Sequence, residues 1–136
     1  MCIVLYKMYK TTYIHFMDEK KLDLLLSAWE ETYKKGQLTF WILLSLKEGE
    51  KYVDDIRSFV ESKTGGVLTC EEQSLYRALR KLEHVEVLSC AWRKGDKGPD
   101  RKYYSLTPMG ERLFERFVER NIVLLNSDDV KRLLKP

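Results

Sequence analysis

The sequence predicts a mainly α-helical fold with one small antiparallel β-hairpin: a winged helix-turn-helix carrying additional N- and C-terminal dimerisation helices. Three observations predict it. Apolar residues recur at spacings of three and four over several successive segments, the signature of amphipathic helices. Two short alternating segments then flank the Gly95–Asp100 loop, as the strands of a hairpin do. Finally, Thr107-Pro108 reopens a helix, a capping residue followed by proline at the first helical position. At 136 residues, 44% hydrophobic and 33% charged, the chain suits one domain with a real core and a well-solvated surface.

Residues 1–16 are aromatic and β-branched, with two lysines and no acid, and read as an appendage, either a strand or a loosely docked tail. Met17-Asp18-Glu19-Lys20-Lys21 reads as a fresh start with Asp18 as the cap, so an upstream start codon is the expected origin of the appendage. Residues 17–36 form the N-terminal helix: Leu22, Leu25, Leu26, Trp29 and Tyr33 share one face, and Gly36 closes it. The DNA-binding unit is expected over 37–106 and a C-terminal dimerisation helix over 107–136.

Within 37–106, the segment from Leu38 to Lys47 is apolar on nearly every side, as a buried helix is. A helix over Val53–Lys63 turns Ile56, Phe59 and Val60 inward and stops at Gly65-Gly66. Thr69 and Glu72 have the spacing of a capping box. In the helix that follows, Leu75, Ala78, Leu79 and Leu82 make the apolar stripe, and Gln73, Arg77, Arg80, Lys81 and His84 lie opposite. Val87–Lys94 and Arg101–Leu106 are the strands, with Leu88, Cys90 and Trp92 alternating on one face and Tyr103 and Tyr104 on opposite faces. The last long helix runs to about Leu125, and Asn126-Ser127-Asp128-Asp129 interrupts it and caps a short final helix.

The net charge of +3 is too small to imply nucleic acid by itself, but its distribution is uneven. Residues 77–102 hold eight basic and four acidic side chains, so that segment alone carries +4. A basic helix followed closely by a basic hairpin is what a duplex-binding module needs, the helix for a major groove and the hairpin for flanking phosphates. Arg77, Arg80 and Lys81 are the leading contacts, because arginine pairs with guanine through two bonds and lysine meets phosphate as a point charge. Gln73 shares the reading face, and Ser74 and Tyr76 suit phosphate hydrogen bonds. Arg93, Lys94, Lys97, Arg101 and Lys102 are the wing candidates.

Other chemistries have little support. Cys2, Cys70 and Cys90 are widely spaced and odd in number, and His15 and His84 do not cluster with them, so neither a disulfide framework nor a metal site is expected. No nucleophile–base pattern or phosphate loop points to an enzyme, and no cofactor is implied. No apolar run approaches the roughly 20 residues that span a bilayer, and a cytoplasmic, nucleoid-associated protein is expected.

From Phe40 to Gly110 the residues resemble the phenolic acid decarboxylase regulator (PadR) family. The likeness is carried by Leu75-Tyr76 with Ala78-Leu79-Arg80-Lys81-Leu82-Glu83, and by Gly98 with Arg101-Lys102-Tyr103-Tyr104-Ser105-Leu106-Thr107 and Gly110. Ile42-Leu43-Leu44-Ser45-Leu46 before Gly49, with Tyr52 and Ile56, fits the family's opening pattern. The resemblance implies a dimeric transcriptional regulator, usually a repressor, on palindromic operators. Four positions depart from it: Gln73 and Ser74 where the family usually has glycine and threonine, Arg77 where it has proline, and Glu86 where it has glycine. Since Gln73 and Arg77 lie on the reading face, operator sequence does not transfer. A left-handed cap without glycine costs about 1 kcal/mol, so the helix is expected to end differently at Glu86. No tryptophan follows Trp92, so the drug binding of some relatives is not carried over.

A homodimer is expected from two apolar faces that a lone chain has little to cover: Leu22, Leu25, Leu26 and Trp29 on the N-terminal helix, and Leu113, Phe114, Phe117, Val118, Leu124 and Leu125 near the C-terminus. Trp29 and Trp41 read as core or interface residues. A small-molecule effector at the interface stays open without a residue pattern to support it. The competing reading is a winged-helix module that binds protein and does not read DNA.

Overall fold

A computed structural model describes residues 2–135 and, within the first helix, the side chains of residues 7, 8, 12 and 15 onward. The chain divides into two compact units, Met1–Gly36 and Gln37–Pro136.

The first unit is one helix, α1 (Cys2–Lys34). Where a strand or tail is expected over 1–16, residues 2–16 are helical, and Asp18 lies inside the helix and caps nothing. Neither glycine nor proline occurs between residues 2 and 35, so nothing interrupts the i→i−4 ladder despite the β-branched content. Thr12 fits by returning its hydroxyl to the Met8 carbonyl at 2.9 Å.

The second unit holds α2 (Gln37–Leu46), α3 (Val53–Lys63), α4 (Glu72–His84), β1 (Leu88–Arg93), β2 (Arg101–Leu106), α5 (Pro108–Asn121), a 3₁₀ turn (Val123–Asn126) and α6 (Asp128–Leu134). It is a winged helix-turn-helix: α3 and α4 are the helical pair, and β1 and β2 are the wing. The strands pair antiparallel, from Leu88 opposite Leu106 to Arg93 opposite Arg101. Lys51 adds a one-residue third strand by exchanging both backbone hydrogen bonds with Tyr104, at 3.1 and 2.8 Å.

The core gathers Ile42, Leu43 and Leu46 of α2, Ile56 and Val60 of α3, and Leu75, Leu79 and Leu82 of α4 against Leu88, Tyr104 and Phe114. The stripe Leu75-Leu79-Leu82 is therefore inward as its spacing demands, and of the two wing tyrosines Tyr104 is the core residue. Ser45, buried on α2, satisfies its hydroxyl on the Ile42 carbonyl at 2.6 Å.

Both helices of the pair end in the same way. At α3, Gly66 N–H reaches the Glu61 carbonyl and Gly65 N–H the Ser62 carbonyl, with Gly65 at φ +60°. At α4, Val87 N–H reaches the Leu82 carbonyl at 2.9 Å and Glu86 N–H the Glu83 carbonyl at 3.0 Å, with Glu86 at φ +64°. Glu86 therefore keeps the left-handed cap that glycine usually makes, contrary to the expected change of ending. Burial of Val87 and Leu88 immediately afterwards holds the chain in that path against the local strain.

The expected capping box does not form. The residue preceding α4 is Glu71, which makes no side-chain cap, and Thr69 lies further out and exposed. Cys70 between them is buried, and its anchoring keeps the chain extended through Glu71. At α5 the expectation holds: Thr107 accepts the Gly110 N–H at 3.0 Å and Pro108 occupies the first turn. Ser127 caps α6 through the Val130 N–H.

Candidate nucleic-acid interface

With Leu75, Leu79 and Leu82 inward, α4 leaves Gln73, Tyr76, Arg77, Arg80 and Lys81 exposed on its outer side and Ser74 half-buried at its edge. Arg77, Arg80 and Lys81 make no ion pair among the described residues, so their charge faces solvent. The helix is thus held by one face and presents cations on the other, the form a groove-reading helix takes.

The wing is less uniform than its composition. Lys94 and Lys97 are exposed and unpaired among the described residues, and with Arg101 and Tyr103 they border a cavity of about 450 Å³ at the hairpin tip. Gly95 is obligatory there, because a Cβ would lie 2.6 Å from the Pro99 carbonyl oxygen. Arg101 stacks its guanidinium 4.4 Å above the Tyr52 ring, and Tyr52 in turn meets Tyr103 at 5.7 Å. This leaves its N–H edge available while fixing its plane.

Arg93 and Lys102 are engaged differently. Arg93 pairs with Glu50 at 2.7 Å, a bond that also raises its pKa, and lies 5.9 Å from the Tyr103 ring centre. Lys102 donates to Glu83 at 3.0 Å and sits 5.4 Å from the Tyr104 ring centre. The same Glu83 accepts the Cys90 thiol at 3.0 Å. The hydrogen bond from Cys90, and then that from Lys102, hold the Glu83 carboxyl below its ordinary pKa. The Glu83 bond pushes the pKa of both Cys90 and Lys102 up. Cys70 and Tyr104 are pushed up by burial, which keeps both neutral and suits packing roles.

Between α4 and the wing lies a cleft of about 340 Å³ bordered by Tyr52, Tyr76, Trp92, Arg101 and Tyr104, with Asp54 and Asp100 at its rim. Trp92 is 68% exposed there. It alternates along β1 with Leu88 and Cys90, but the hairpin outruns the core before Trp92 is reached. Tyr52, Glu50 and Glu83 contact the wing cations Arg101, Arg93 and Lys102, and a count of charges does not reveal those pairings. Nothing in the sequence singles out Glu50 or Glu83 from the neighbouring acids Glu48 and Glu86, and their partners are not inferable from spacing.

The residues expected at a dimer interface divide. Leu22, Leu25, Leu26 and Trp29 are exposed on α1, Trp29 at 73%. On the second unit Leu113, Phe117, Leu124 and Leu125 are exposed. Phe114, in contrast, is buried in its own chain, stacked 5.8 Å from Phe40, and Val118 is half-buried against the same core. Phe40 is the reason: its ring lies between Phe114 and Phe117, 5.7 Å from the latter, and draws that part of α5 inward. Trp41 is half-buried with its ring edge-on to Phe40. Among the described residues no group of His, Cys, Asp or Glu could hold a metal ion, and no helix is long and apolar enough to cross a membrane.

The model of the PadR-like family of transcriptional regulators matches residues 42–116. Among solved structures, a PadR family transcriptional regulator from Eggerthella lenta is 26% identical with a TM-score of 0.65, over 85% of this chain and 97% of that one. A PadR-like transcription factor from Bacteroides fragilis is 31% identical with a TM-score of 0.60, over 76% and 95%. Bacillus subtilis PadR in complex with operator DNA shares the fold at 23% identity and a TM-score of 0.55, over 60% of this chain and 46% of that one.

Proposed function

The chain belongs to the PadR-like family of transcriptional regulators, and on that premise we propose that it binds double-stranded DNA as a homodimer and represses transcription from a palindromic operator. One observation carries the reading: α4 buries Leu75, Leu79 and Leu82 while Gln73, Tyr76, Arg77, Arg80 and Lys81 stay exposed beside a basic wing. The Bacillus subtilis relative, solved with operator DNA, gives this fold a precedent for that partner.

In this reading α4 enters the major groove. Arg77 and Arg80 meet base edges, Gln73 adds a further base contact, and Lys81, Ser74 and Tyr76 meet phosphates. Lys94, Lys97 and Arg101 grip the flanking backbone from the wing, and Arg93, opposite Arg101 across the strands, lies beside them. A second copy covers the apolar residues that α1 and the C-terminal segment leave exposed. Two-fold symmetry then presents two reading helices roughly 34 Å apart to successive major grooves, which is why the operator is palindromic. The sign of regulation follows the family's usual behaviour. A protein-binding module does not need a cationic α4 face beside a basic wing, and that coincidence favours the DNA reading.

The test is a titration with duplex selected by the protein from a random-sequence pool, at several salt concentrations. Arg77→Ala should weaken binding by about 1–3 kcal/mol and relax preference at one base position. Lys97→Ala should lower the log–log salt slope by about 0.9. Parent-like binding by both variants would sink the assignment. Sedimentation should show a dimer at micromolar concentration, and a monomer there would remove the symmetric operator.

A further inference from the structure

We infer that Glu83 is a positioning residue that locks the wing to the reading helix, and that Lys102 is its strut and not a phosphate contact. This rests on the DNA-binding reading and assigns separate tasks to cations that composition groups together.

A two-stranded hairpin is marginal alone and needs support along its length. Its inner end is anchored by buried Leu88 and Tyr104 and by the Lys51 bridge. From Ala91 to Arg93 the strand is exposed, so the core no longer supports it. Glu83 reaches the hairpin where that support ends. It lies in the last turn of α4, three residues past Arg80, and uses one carboxylate for both strands: Oε1 accepts Cys90 Sγ–H of β1 and Oε2 accepts Lys102 Nζ of β2, each at 3.0 Å. Among the described residues these are the side-chain hydrogen bonds that join α4 to the wing. The Glu83 and Lys102 side chains are 32% and 28% exposed, so salt screens this pair less than one in open solvent.

Charge sharpens the point. A carboxylate beside a surface meant for phosphate weakens binding through simple repulsion. If Glu83 were only a nearby negative charge, neutralising it would strengthen DNA binding. If it is the tether, neutralising it frees the wing and weakens binding. The two accounts predict opposite signs for one substitution.

The experiment uses the full-length protein and the selected duplex. Glu83→Gln should bind about tenfold more weakly despite its more positive charge, the scale set by one charge-assisted hydrogen bond. Lys102→Met should leave the salt slope at the parent value, whereas Lys97→Ala lowers it by about 0.9. The charge swap Glu83→Lys with Lys102→Glu should recover part of the affinity that Glu83→Lys alone loses. Hydrogen exchange on the free protein supplies a readout that needs no DNA: amides of 90–93 and 101–103 should lose protection in Glu83→Gln while those of α2 keep it. Equal or tighter binding by Glu83→Gln with unchanged hairpin exchange would overturn the inference, as would a slope lowered by about 0.9 in Lys102→Met. If the parent binds no duplex, the DNA reading fails by itself, and the exchange result still decides whether Glu83 holds the wing. Should Glu83→Gln unfold, seen as lost α2 protection, the Lys102→Met slope decides.

Discussion

Gly110→Ala should be among the most disruptive single-methyl changes in the chain. Gly110 is the third residue of α5, where the helix starts against the base of the wing. A Cβ built on it would run into the Val87 carbonyl oxygen and lie 3.2 Å from the Val87 carbon. That oxygen is already committed: it accepts the Thr107 N–H at 3.1 Å and lies 3.1 Å from the Thr107 hydroxyl. Relief requires the first turn of α5 to move away from Val87, which puts those bonds at risk. Overpacking costs about 1–3 kcal/mol, and a lost backbone hydrogen bond about 0.5–1.5 kcal/mol. Alanine's better helix propensity returns about 1 kcal/mol. The net is a loss of about 2 kcal/mol, or about 8–16 °C in Tm for a unit of this size. Urea denaturation followed by circular dichroism, at equal protein concentration, measures it. Stability within about 0.5 kcal/mol of the parent, the usual range for surface substitutions, would refute the claim that contact with Val87 is what demands glycine.

Four further outcomes depend on particular contacts. Glu86→Gly should stabilise the protein by about 0.5–1 kcal/mol in urea denaturation, because relief of the left-handed strain outweighs the added freedom of the unfolded chain. Phe114→Ala should cost about 3–5 kcal/mol in the same assay, since it empties a buried ring site against Phe40. Exposed Leu113→Ala should instead lower dimer affinity in sedimentation and leave the cost well below that of Phe114→Ala. The stability difference between parent and Glu83→Gln should depend on pH. Glu83 is held below its ordinary pKa, so its contribution is present above the unfolded carboxyl value near 4.3 and is lost as pH falls through the folded value. Lys102 is raised, so its share is present below about 10.4 and is lost as pH rises through its folded value. A difference that grew as pH fell below 4 would contradict the pairing.

Local chemistry determined much of this protein. The α4 stripe, the hairpin strands, the Thr107-Pro108 start and the Ser127 cap were legible because each depends on residues within one or two turns of one another. The same holds for the exposure of Arg77, Arg80 and Lys81, which follows from burying Leu75, Leu79 and Leu82. Where local signals competed with long-range packing, tertiary structure decided. Burial of Cys70 left Thr69 outside its expected cap, burial of Val87 and Leu88 held Glu86 in a glycine conformation, and Phe40 drew Phe114 into the core. The division of labour among the wing cations is of the same kind. Arg93 and Lys102 look like Lys94 and Lys97 in the sequence, yet carboxylates 43 and 19 residues away hold the first two. Charge type is a property of a residue, whereas charge availability depends on what the fold places within 3 Å of it.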